Sequence, residues 1–106
     1  VSAETELDHW RRRIDEIDRD LTDLLAERAG CAIEIGRVKA RHGLQVYDPQ
    51  REAEVMANVR SRVSGFLTEH SVERIFERII DETRRLEREH RKLAEAVATG
   101  REESGG

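Results

Sequence analysis

Arg28 and Lys39 stand eleven residues apart in a proline-free stretch that reads as one helix, and eleven residues is close to three whole turns. Both cations therefore fall on one face, about 16 Å apart along the axis. Long side chains reaching towards each other from that distance can clasp a small anion. Arg28 is the more telling of the two. Leu7, Trp10, Ile14, Ile17, Leu21, Leu24, Cys31, Ile35 and Val38 recur at alternating spacings of three and four, apart from one gap, which is the narrow seam of a packed helix. The gap falls at position 28, where a cation is costly unless something anionic meets it. Lys39, which borders the seam beside Val38, reads equally well as a boundary residue snorkelling to water.

Further polar residues sit on faces that should pack. Thr83 and Glu87 are four apart, hence on one helical face, although a mid-helix Thr often bonds only to the preceding turn. Arg51 and Glu52 follow Asp48-Pro49 in a first helical turn, a place that favours Glu52 electrostatically but not Arg51. Arg11 lies about 25 Å upstream of Arg28 in a straight helix. It can share a small ligand with Arg28 only from a second, antiparallel copy, and Arg11, Arg12 and Arg13 read equally well as a solvated cluster. The chain shows no Ser/His/Asp arrangement, no glycine-rich phosphate loop and no HxxxH spacing among His9, His42, His70 and His90. Fixed cations with few acceptors and no nucleophile–base pair would bind a small, multiply anionic molecule and act by orientation and electrostatics. That suits a unimolecular rearrangement better than hydrolysis or group transfer, and it calls for no cofactor and no metal.

Three helices must position these groups. The first runs from about Glu4 to Arg41–His42, with Ser2 or Thr5 as cap and Gly43 in the left-handed position after it. Its length of roughly 55–60 Å exceeds what a domain of this size needs, so two or more copies are expected to bury its seam. Asp48-Pro49 starts a second helix, reaching about Val63 with Val55, Met56, Val59 and Val63 as its apolar face and Ser64–Gly65 as its end. A third begins at Thr68–Ser71 and carries Val72, Ile75, Phe76, Ile79, Ile80, Thr83 and Leu86. The expected organisation is an all-α domain over residues 1–98 and a disordered tail over 99–106.

Composition agrees with this reading. Of 106 residues 37% are hydrophobic and 40% charged, with one proline and four aromatic residues, the balance of a helical bundle. A net charge of −4 argues against a general nucleic-acid binder, and arginines such as Arg84, Arg85 and Arg88 read as solvated beside their acidic neighbours. The single cysteine, Cys31, offers no disulfide framework and reads as a packed small side chain. With no signal pattern or long apolar run, a soluble cytoplasmic protein is expected, with no membrane partner.

The ordered set Ile14-Asp15-Glu16-Ile17-Asp18, Leu24-Leu25-Ala26-Glu27-Arg28 and Ile35-Gly36-Arg37-Val38-Lys39 resembles the all-helical, AroQ-type chorismate mutases. The likeness continues through Asp48-Pro49-Gln50-Arg51-Glu52 and Ile75-Phe76-Glu77-Arg78-Ile79-Ile80, covering residues 7–90. The resemblance implies an intertwined homodimer of three-helix chains that rearranges chorismate to prephenate, without a cofactor, in phenylalanine and tyrosine biosynthesis. By the same resemblance Arg28 and the partner's Arg11 would bind the substrate carboxylates, and Lys39 the ether oxygen whose bond to the ring breaks. Glu52 would accept from the ring hydroxyl with help from the backbone at Asp48 and from Arg51, and Thr83 would lie near a carboxylate. Glu87 stands where many members have Gln, opposite Lys39, and must carry a proton to donate there. Isochorismate-pyruvate lyases and 4-amino-4-deoxychorismate mutases look similar, although Glu52 suits a hydroxyl on the ring. A non-catalytic reading, a regulatory helical module partnering an aromatic-pathway synthase, is the alternative from another class.

Overall fold

The computed structural model describes residues 2–105, with side chains described through residue 100. It contains three helices, α1 (Ala3–Arg41), α2 (Pro49–Arg60) and α3 (Glu69–Gly105), and no strand among the described residues. Each begins at a hydroxyl or carboxylate cap. Ser2 Oγ accepts from the Thr5 amide at 3.2 Å, Asp48 Oδ1 from the Arg51 amide at 3.1 Å, and Thr68 Oγ1 from the Ser71 amide at 3.1 Å, each satisfying a donor that the first turn leaves without a partner.

The end of α1 follows the glycine rule closely. Gly43 has φ +66°, its amide bonds to Ala40 O at 3.3 Å, and the Leu44 amide bonds back to Lys39 O at 2.8 Å. These are the two bonds of a Schellman stop. The end of α2 comes earlier than the apolar pattern suggests, at Arg60 instead of Val63. Ser61 donates its hydroxyl to Asn58 O at 2.6 Å, and such local bonding competes with helix continuation. α3 remains helical to Gly105, past Ala98 where the sequence reading ends it; Gly106 lies outside the described residues.

The chain forms two compact units, residues up to Cys31 and residues from Ala32 onward. The first is the leading part of α1. Its seam residues Leu7, Trp10, Ile14, Ile17, Leu21 and Leu24 are 45–63% exposed in the single chain, and Cys31 is exposed as well. The second unit holds the small core of Ala32, Val72 and Ile80. Within it α2 and α3 run antiparallel: Arg60 at the end of α2 pairs with Glu73 near the start of α3 at 3.0 Å, whereas Glu52 at the start of α2 pairs with Arg84, farther along α3, at 2.6 Å. The connection after α1 is tied to α3 by Arg91, whose Nη1 donates to Leu44 O at 2.8 Å. No helix among the described residues is long and apolar enough to cross a membrane.

Candidate active site

Two charged clusters in the second unit bring together most of the residues singled out in the sequence. The first is built on Lys39, near the C-terminal end of α1. Its ammonium donates to Val46 O at 2.8 Å and lies 3.5 Å from Glu87 Oε2 of α3. Both side chains are largely out of water, at 16% and 8% exposure, so the two charges interact with little screening. Glu87 Oε2 is buried without a hydrogen-bond partner, and an acceptor left so is costly. Gly36 packs against this carboxylate: a β-carbon there would sit in ordinary contact with Glu87 Cγ at 3.6 Å, leaving little room for anything longer.

The second cluster is built on Glu52. Arg84 Nε donates to Oε2 at 3.1 Å and Arg84 Nη2 to Oε1 at 2.6 Å, a bidentate fork with both side chains 27% exposed. The guanidinium also faces the Tyr47 ring, with Cζ 5.0 Å from the centroid. Its hydrogen bonds to Glu52 first, opposed by burial and aided by the Glu52, Asp81 and Tyr47 charges, raise its pKa above the ordinary arginine value. Arg51 contributes its amide to the Asp48 cap and sends its guanidinium to Glu54 at 3.2 Å. The consecutive residues Val46, Tyr47 and Asp48 connect the clusters, since Val46 O receives Lys39, Tyr47 lies under Arg84 and Asp48 starts the helix that presents Glu52.

Thr83 is half-buried on α3, and its hydroxyl donates to Ile79 O at 2.8 Å. Beside Glu87 runs an apolar groove of about 460 Å³ lined by Ile33, Gly36, Ala40, Leu93 and Ala94 among others. Lys39, Glu52 and Thr83 do not line it, so it neighbours the pair and is not a cavity closed around the candidate set. In the first unit Arg28 is half-buried, and Arg11 is exposed, 3.8 Å from Asp8.

Arg84 and Tyr47 are functional candidates that the sequence does not single out. Arg84 has Asp81 three residues before it and reads as a surface ion pair, and that contact exists at 3.7 Å; its stronger partner, Glu52, is 32 residues away in the chain.

These positions fall within a match to known proteins. Residues 10–88 fit the family model described as chorismate mutase type II. The chain is 43% identical over 60 residues to a "T-protein" of Enterobacter agglomerans, covering 57% of this chain and 16% of that protein. It is 34% identical over 92 residues to a bifunctional chorismate mutase/prephenate dehydratase of Stutzerimonas stutzeri, covering 82% and 25%. The chain thus spans a quarter or less of the length of these two relatives. Among solved structures, form II of the chorismate mutase from Thermus thermophilus superposes with a TM-score of 0.76 at 30% identity, over 78% of this chain and 94% of that one. With three quarters of its length inside the family model and the same helical fold as a solved member, the chain belongs to the chorismate mutase type II family.

Proposed function

We propose that this chain is a chorismate mutase, converting chorismate to prephenate by breaking the ether C–O bond and forming a C–C bond within one molecule. The observation that carries the reading is the Lys39–Glu87 pair: an ammonium and a carboxyl group, both mostly buried, side by side in a chain of this family. A bound dianion placed against the pair would meet Lys39 as a donor to the ether oxygen, where negative charge develops as the bond breaks. Glu87 faces the same oxygen from α3, where its carboxyl donates when it carries the proton.

The other roles follow the family pattern. Arg28 and Arg11 of the partner subunit take the two carboxylates, holding the compact conformer in which the reacting carbons meet. Glu52 accepts from the ring hydroxyl, with the backbone at Asp48 beside it and Arg51 supporting the same helix start. Thr83 turns its hydroxyl from Ile79 O to a carboxylate. The site is shared by an intertwined homodimer, a reading supported by the exposed seam of the first unit: six large apolar side chains in register are a surface that an isolated chain would rarely leave in water.

Purified protein should consume chorismate with prephenate as product, followed by the loss of chorismate absorbance and product identification. Release of pyruvate, or no loss of absorbance, would overturn the reading. The Glu87→Gln variant is a second check. Its amide is a permanent donor of the same length, so it should turn over chorismate with a kcat at or above the wild-type value. A fall in kcat of more than about tenfold in a folded Glu87→Gln protein would remove the donor role from Glu87.

A further inference from the structure

Glu52 does not stand alone at the start of α2. The Arg84 fork fixes both carboxylate oxygens in one plane, and Asp81 Oδ1 at 3.7 Å and the Tyr47 ring at 5.0 Å hold the guanidinium from other sides. A carboxylate has about four acceptor sites, of which the fork occupies two. Glu52 can therefore still accept from a ligand, but it does so with a cation already held against its other side.

We propose that Arg84 determines specificity, making the Glu52 position an acceptor for a neutral hydroxyl and disfavouring an ammonium in the same place. The inference rests on the chorismate mutase reading, in which Glu52 meets the ring hydroxyl. Chorismate and 4-amino-4-deoxychorismate differ at that ring substituent, and an amine of this kind takes up a proton near neutrality. A bare carboxylate would attract the resulting cation strongly. The guanidinium behind it opposes that attraction from about twice the distance, and so removes about half of it, whereas a hydroxyl needs only an oriented lone pair. Specificity then comes from a repulsive element as much as from an attractive one.

The test compares kcat/KM for the two compounds in wild type, Arg84→Gln, Arg84→Lys and Glu52→Gln, with helical circular dichroism as the folding control. Arg84→Gln should raise the amino-to-hydroxyl ratio about tenfold. Arg84→Lys keeps the charge but loses the fork, so the ratio should hold within about twofold while both substrates slow. Glu52→Gln leaves the Arg84 charge facing the substituent and should lower the ratio about tenfold. A pair that only braces α2 against α3 would slow both substrates equally in every variant. Flat ratios in Arg84→Gln and Glu52→Gln overturn the proposal, as does a rise in Arg84→Lys equal to that in Arg84→Gln. If Arg84→Gln does not fold, Arg84→Met takes its place, with the same rise in the ratio expected and a flat ratio overturning the proposal. Wild-type turnover of chorismate with flat ratios leaves the family reading standing and removes only the role of Arg84; a wild type that acts on neither compound overturns both.

Discussion

Lys39→Ala should lower kcat for chorismate by about 10²- to 10³-fold while KM changes far less. The split follows from when the interaction is strongest. In the ground state the ether oxygen carries little charge and needs the ammonium weakly; in the transition state it carries much more, so the lost stabilisation falls on kcat. The magnitude is that of removing one preorganised donor from a site sheltered from water, about 3–4 kcal/mol. Lys39 is already fixed by Val46 O at 2.8 Å, so the wild type spends nothing on ordering it during the reaction. The same substitution leaves Glu87 buried without its cation, which threatens the fold. The double variant Lys39→Ala/Glu87→Gln separates the two effects: it should restore the melting temperature and leave the rate low. A kcat within about threefold of wild type in a folded Lys39→Ala protein would take Lys39 out of the chemistry.

The second large effect concerns Arg11 and uses two crippled proteins together. Arg11→Ala and Lys39→Ala should each be nearly inactive alone, and mixing them under conditions that unfold and refold the chains should recover roughly a quarter of wild-type activity. In a shared-site dimer half of the randomly paired molecules are mixed, and each carries one site with both defects and one with neither. Arg11 in this chain makes an exposed contact to Asp8 at 3.8 Å, of a kind that contributes little by itself. A near-normal rate in Arg11→Ala, or no recovery on mixing, would show that the arginine does not complete a neighbour's site.

The sequence carried the helices because their ends are local. Asp48-Pro49 at a start and Gly43 after a stop act through bonds spanning a few residues, so they can be read without knowing the fold. The end of α2 was less legible because apolar periodicity through Val63 says nothing about the hydroxyl of Ser61. A candidate stood out where a residue conflicts with its surroundings, as Arg28 does in an apolar seam. None stood out where a residue has a plausible neighbour. Arg84 beside Asp81 raises no question, and its bond to Glu52 exists only because α2 folds back antiparallel on α3. Glu87 lies between these cases: spacing placed it at the border of a stripe, but its burial comes from packing against α1, where Gly36 is its neighbour.

The Schellman stop after α1 reaches further than ending a helix. Lys39 supplies its main-chain carbonyl to the Leu44 amide and its side chain to Val46 O, so one residue grips the following connection at two points. Tyr47 and Asp48, next in line, are committed to Arg84 and to the α2 cap. Most surface connections tolerate insertions at little cost, but this one behaves as a ruler whose marks are set by the ammonium. Its residues can vary in kind more freely than in number, because one added residue would slide Val46 O off Lys39 or Tyr47 off Arg84. Among homologous sequences, then, alignment gaps should avoid positions 43–48 even where the side chains there differ.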